Sequence, residues 1–215
     1  MNFEQAFRSI STPMGRVTIL EKLTERLLWR LPREVAERHL EIAPPLPQSA
    51  LDGAKLYADR ATMLRALPKG GIVAEVGVWR GDFSKLIWET CKPDELHLVD
   101  LDFSPFDWPE AKVIRHQGDS SAILRSFEKG SFDWIYIDGD HAYEGVSKDL
   151  AAAHRALKPG GCLMCNDYAN WCSLAVTPYG VARAVNEFAL REGYSVEGLA
   201  LHPAGLPDIL IRKPD

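Results

Sequence analysis

Ile72-Val73-Ala74-Glu75-Val76-Gly77-Val78-Trp79-Arg80-Gly81 is the stretch on which the reading of this chain turns. An apolar run with one acid inside it, Ile72–Val78, meets glycines and leads into a helical stretch, Asp82–Thr90. A buried parallel strand hands over to a helix in this way, because glycine tolerates unusual dihedrals and lets backbone approach a ligand. The pattern is E-x-G-x-x-x-G. A dinucleotide fingerprint would read G-x-G-x-x-G, but here Glu75 holds the place of its first glycine and the next spacing is one residue too long. A glutamate at such a turn disfavours a pyrophosphate and suits a ligand with a cationic amino group and a sulfonium.

Downstream, strand and helix alternate. Leu96–Val99 is a short strand ending in Asp100, and Lys112–Arg115 is a weaker one followed by a helix over Ser120–Phe127. Phe132–Ile137 ends in Asp138, and the helix Tyr143–Leu157 stops at Lys158-Pro159-Gly160-Gly161. Cys162–Cys165 ends in Asn166-Asp167, Val181–Arg191 is helical, and two late strands fall at Tyr194–Leu199 and Asp208–Arg212. Near-continuous apolar strands alternating with helices predict an α/β protein, a Rossmann-like doubly wound, mostly parallel sheet with helices on both faces. Ligands of such sheets lie outside the carboxyl ends of the strands, where Gly77, Asp100, Asp138 and Asn166-Asp167 collect.

Upstream, the pattern is helical. Val17–Leu31, Arg33–Ile42 and Ala54–Leu67 have apolar residues at helical spacing, broken by Pro32 and by Pro44, Pro45 and Pro47. The expected organisation is a helical N-terminal cap over 1–70 and a ligand-binding domain over 71–215. The cap helices are able to pair with a second copy of the chain or to cover their own sheet, so a homodimer stays open.

The 215 residues carry 25 Lys+Arg against 30 Asp+Glu, a net charge of -5, which argues against nucleic acid as a partner. No apolar run approaches the roughly 18 residues of a membrane span. The opening MNFEQAFRSI has no apolar centre of a secretory signal, so the expected location is cytoplasmic. Cys162 and Cys165 are spaced C-x-x-C, but on a strand they face opposite sides, so reduced structural thiols are expected.

Asp100 ends its strand 23 residues after Gly77, where a carboxylate can accept both hydroxyls of a ribose. Asp119 and Ser120 fall where an adenine edge would lie, and either equally serves as an ordinary helix N-cap. In Asp138-Gly139-Asp140-His141, the glycine allows a tight turn that brings Asp140 and His141 to the strand edge. Asp138, Asn166 and Asp167 supply three oxygens from neighbouring strand ends, part of an octahedral shell for a divalent cation. His141, with a pKa near neutrality, is able to serve as base without a metal. Trp79, inside the glycine turn, is a candidate to pack on the ligand.

EVGVWRG, Asp100, IDGDHAYEGVSKDL, LKPGG and NDY together resemble a class I S-adenosylmethionine-dependent methyltransferase, over about residues 71–190. The nearer likeness is to the small-molecule O-methyltransferase branch with catechol-type and macrolide-sugar enzymes. That resemblance implies seven strands in the order 3-2-1-4-5-7-6, the last antiparallel, with the cofactor over the strands that end in Gly77, Asp100 and Asp138. It puts Glu75, Gly77, Gly81 and Asp100 on cofactor positions, with Ser84 at the amino-acid end. It further implies magnesium on Asp138, Asn166 and Asp167, Asp140 as base with His141 as competitor, and a small hydroxylated acceptor such as a sugar or phenol. One departure stands out: the sugar branch has two acids where this chain has Asn166-Asp167, and losing a carboxylate weakens a cation site. The alternatives are a metal-free N- or O-methyltransferase using His141, and a nucleoside-binding module without catalysis.

Overall fold

The computed structural model describes residues 42–108, 113–175 and 177–215. The expected helix Val17–Leu31, and Arg33–Ile42 except its last residue, lie outside the described residues.

The strands are β1 (Lys55–Tyr57), β2 (Ile72–Val76), β3 (Glu95–Asp100), β4 (Val113–Gln117), β5 (Phe132–Ile137), β6 (Leu157–Cys165), β7 (Trp171–Cys172), β8 (Thr177–Pro178), β9 (Ser195–Ala200) and β10 (Asp208–Arg212). The helices are α1 (Arg60–Arg65), α2 (Asp82–Cys91), α3 (Ser120–Ser126), α4 (Tyr143–Ala156) and α5 (Val181–Glu192). The main sheet runs β1-β9-β10-β6-β5-β2-β3-β4. β2 pairs in parallel with β3 and β5, β3 with β4, and β5 with β6, while β10 is antiparallel to both β6 and β9.

Seven of these strands follow the expected order; the eighth is a correction. Lys55–Tyr57 was expected to be helical, yet it pairs in parallel with β9, Leu56 opposite Leu199. Gly198 makes room for it, since a Cβ there would meet the Tyr57 ring at 2.5 Å. The helix starts only at Arg60, where the Asp59 side chain accepts from Thr62 N at 2.7 Å and caps it. Lys55–Tyr57 therefore extends the sheet, and the expected helix over Ala54–Leu67 is reduced to α1.

The two faces of the sheet carry separate cores. α1 and α2 give Met63, Leu64 and Ile87 to one, while α4 and α5 give Leu150, Val185 and Phe188 to the other. Cys162 packs in the first and Cys165 in the second, the opposite facing their spacing predicts. All four cysteines are buried and unpaired. Each fully buried Leu, Ile or Phe contributes roughly 1.5–3 kcal/mol. The two layers hold β2 and β5 side by side, Glu75 beside Tyr136 and Val76 beside Ile137. None of the described helices is long and apolar enough to cross a membrane.

Candidate active site

A cleft of about 900 Å³ opens at the carboxyl ends of β2, β3, β4 and β5, with Glu75, Gly77, Asp100, Asp119 and Asp138 among its lining residues. Its floor is the glycine turn. Gly77 has φ 81°, in the left-handed region, and a Cβ there would lie 1.9 Å from the Asp138 carbonyl oxygen. Only glycine lets the ends of β2 and β5 approach this closely, and Asp138 N donates to the Val76 carbonyl at 2.7 Å across the gap. Gly81 also has φ 81°, and a Cβ would press on the Phe106 ring at 2.7 Å.

Glu75 is 1% exposed, and its Oε2 has no hydrogen-bond partner; the same is true of the buried Ser84 hydroxyl. Burial pushes the Glu75 carboxyl up to about 8, and the Asp138 and Asp100 charges add to the rise. A buried acid without a cation is a costly arrangement that a bound ammonium would relieve. These orphaned atoms and the glycine cradle fit the amino-acid end of S-adenosylmethionine.

Asp100 is committed to the turn. Its Oδ2 accepts from Val78 N at 2.7 Å and Trp79 N at 3.0 Å, and its Oδ1 from Asp102 N at 3.0 Å. Burial works against its charge, but these amides win and hold the carboxyl below its ordinary value. Two amides occupy Oδ2, while Oδ1 keeps a further lone pair for a ribose hydroxyl. Trp79 lines the cleft yet is 63% exposed, with the Arg80 guanidinium 4.5 Å over its ring.

At the far end, Asp119 accepts from Ala122 N at 2.7 Å and from the Ser121 hydroxyl at 2.8 Å, the N-cap of α3. The Ser120 hydroxyl donates to Asp149 Oδ1 at 2.5 Å. Both side chains line the cleft while already engaged.

Asp140 and His141 part company. Asp140 lines the cleft beside the start of α4, where its Oδ1 accepts from Ala142 N at 2.9 Å and a Cβ on Gly145 would strike its Oδ2 at 2.1 Å, whereas His141 is not among the lining residues. Its charge acts on buried Asp149, beside Ser120. The charges that act on His141 are those of Asp138 and Asp167.

His141 Nε2 lies 3.5 Å from Asp138 Oδ1, 3.7 Å from Asp167 Oδ2 and 3.5 Å from Asn166 Oδ1. Burial of the ring opposes its charge, but hydrogen bonding to Asp138 and the Asp138 and Asp167 charges outweigh it and raise its pKa above 6.5. The three oxygens expected to bind magnesium thus converge on a ring nitrogen. Among the described residues, no group of three or more acidic, histidine or cysteine side chains is arranged to hold a metal ion. The residues do not fit the metal.

A second tier of this network was not singled out in the sequence. Arg60 donates to the Tyr136 hydroxyl at 2.9 Å, and that hydroxyl donates to Asp138 Oδ2 at 3.3 Å. Asp208, 2% exposed, accepts from Asn166 Nδ2 at 3.2 Å and lies 3.8 Å from Arg60 Nε. Burial lifts its carboxyl to about 7, with Arg60 opposing and the Asp138 and Asp167 charges assisting. Two signals could have found these residues. Tyr136 shares the strand face of Asp138 by the period of two, and the first residue of an antiparallel last strand reaches the same edge.

Residues 74–168 match the family model of a methyltransferase domain. The architecture is that of the Rossmann-like methyltransferase fold. An S-adenosylmethionine-dependent methyltransferase from Mesorhizobium loti superposes with a TM-score of 0.53 at 17% identity, covering 70% of this chain and 96% of that one. An O-methyltransferase family protein from Burkholderia thailandensis gives 0.52 at 13%, covering 71% of this chain and 52% of that one. A spermidine synthase from Thermotoga maritima gives 0.54 at 14%, covering 74% and 57%. The fold by itself therefore does not decide which group is transferred. No curated protein matches the sequence.

Proposed function

We propose that the protein is an S-adenosylmethionine-dependent methyltransferase that methylates a hydroxyl of a small, non-anionic molecule. The observation that carries this reading is the buried Glu75 carboxyl, whose Oε2 has no hydrogen-bond partner, beside a glycine turn that admits no side chain. The methyltransferase-domain match over the same segment supports it.

S-adenosylmethionine, when bound, supplies a methyl group already activated on a sulfonium. Glu75 and Ser84 hold the amino-acid end, the Gly77 turn gives the backbone its close approach, and Asp100 takes the ribose. Asp119 and Ser120 bound the adenine end through the start of α3. With an activated donor, the remaining tasks are to align the acceptor, exclude water and receive its proton. Asp138 lines the cleft and accepts from the His141 Nε2–H, so this couple receives the hydroxyl proton, the free Nδ1 of the neutral imidazole being its acceptor. Tyr136, anchored by Arg60, keeps Asp138 oriented.

The charge at this end favours a neutral or cationic acceptor. Asp138 and Asp167 stand here beside Arg60 and His141, and these two carboxylates disfavour a phosphate or carboxylate acceptor. The test is calorimetry with S-adenosylmethionine, then mass-spectrometric detection of methylated products across hydroxylated sugars and phenols. Stoichiometric binding and a mass gain of one methyl are expected. No binding of the cofactor or of its demethylated product would refute the reading.

A further inference from the structure

The ring of His141 is held at Nε2 and on one face. Its Nε2 meets oxygens of Asp138, Asn166 and Asp167 at 3.5, 3.5 and 3.7 Å. One face stacks on Tyr179, with centroids 4.5 Å apart and planes 9° from parallel. Backbone fixes that stack, because Gly180 N donates to the His141 carbonyl at 2.8 Å and Tyr179 N to the Asn170 carbonyl at 3.0 Å. Gly180 itself is pressed onto α4, where a Cβ would lie 2.3 Å from Tyr143 N. Asn166 is oriented too, since its Nδ2 donates to Asp208 and leaves its Oδ1 for the ring.

We propose that the resident of this three-oxygen cradle is the side chain of His141 and not a divalent metal. The resemblance to metal-dependent enzymes thus covers the ligand positions but not their occupant. Magnesium requires oxygens at about 2.0–2.1 Å in near-octahedral array. To bind there it would take the lone pairs that now face the ring N–H, and His141 would have to leave its place against Tyr179. The amide at Asn166 agrees with this, because a hydrogen-bond donor needs an acceptor oxygen there and not a second adjacent negative charge. The proposal deepens the methyltransferase reading and rests on it: the acceptor's proton is handled by a side chain of the protein.

Manganese(II), a paramagnetic stand-in for magnesium, tests this by electron paramagnetic resonance on metal-free protein, with and without S-adenosylhomocysteine. Wild type is expected to show no stoichiometric site up to millimolar metal. His141→Gly, which empties the cradle, is expected to bind at least tenfold more tightly, and a further Asp138→Asn to remove that gain. His141→Ser serves the same purpose if the glycine variant does not fold. Stoichiometric manganese on wild type that Asp138→Asn abolishes would overturn the proposal, as would a folded His141 variant with no gain. Calorimetry of S-adenosylhomocysteine on the same samples separates the two claims, since failure of that ligand to bind refutes the methyltransferase reading whatever the metal does.

Discussion

Asp100 Oδ2 sits 2.7 Å from the amide nitrogen of Val78, so the end of β3 holds the glycine turn that follows β2. The carboxylate proposed to take the ribose therefore also shapes the glycine turn. Asp100→Ala removes both functions at once. Its cost in affinity for S-adenosylhomocysteine is about 1.5–3 kcal/mol, the scale of hydrogen bonds to a charged group. Asp100→Asn keeps the size and one acceptor oxygen, and it falls between the two. Calorimetry decides: an unchanged dissociation constant in the alanine variant would remove Asp100 from the binding site.

Gly77→Ala places a methyl group where the Asp138 carbonyl oxygen already lies, at 1.9 Å, on a backbone with φ 81°. The ends of β2 and β5 must part. Strain of this kind costs about 1–3 kcal/mol, and for a chain of this size each kcal/mol lowers Tm by about 2–4 °C. Gly193 is the control, because its φ is 75° and a Cβ there would meet nothing within 4 Å. Gly193→Ala therefore carries the dihedral cost alone and leaves ligand affinity intact, whereas Gly77→Ala loses both Tm and affinity. Thermal melts with and without S-adenosylhomocysteine separate the two.

The alternation of apolar runs with helical stretches was legible because β2, β5 and β6 are buried on both faces, and Phe132–Ile137 and Asp208–Arg212 fall where their runs predict. β1 was not legible. Lys55-Leu56-Tyr57 is short, lies at the sheet edge with Leu56 exposed, and directly precedes a capped helix, so its pairing is decided by Gly198, some 140 residues away. The cofactor side of the cleft follows from local spacing, which is why Glu75, Gly77 and Asp100 lie together. The acceptor side depends on how side chains turn. Asp140 and His141 are neighbours in sequence, yet one folds onto α4 and the other enters the Asp138–Asp167 network. Sequence spacing does not encode that divergence, and so it left both as rival bases.

That divergence makes a sharp comparison. Asp140→Asn retains an oxygen for Ala142 N and sits apart from the His141 pair, so kcat is expected to change less than about threefold. His141→Gln removes the proton acceptor, and kcat is expected to fall about 100-fold or more, the usual worth of a positioned base. Affinity for S-adenosylmethionine stays unchanged in the histidine variant. Single-turnover rates measure this directly, and the reverse ranking would return the base to Asp140.

Glu75 ties donor binding to pH. In the free protein its carboxyl titrates at about 8, so at neutral pH it is mostly protonated. The ammonium of the donor favours the carboxylate, so binding must expel a proton. Below about 8, affinity then rises with pH by up to about tenfold per unit, and above it affinity falls as the donor's own α-ammonium loses its proton. The unliganded fold shows the opposite slope. A carboxyl raised in the folded state from 4.5 to about 8 contributes stability that is present below 4.5 and is lost as pH climbs through that window. Calorimetry in buffers of different ionisation enthalpy counts the protons released, close to one per donor bound at pH 6.5. Glu75→Gln should release none, flatten both pH profiles below about 8 and bind weakly at every pH; a wild-type affinity that ignores pH between 6 and 8 would show that Glu75 does not meet the donor's amino group.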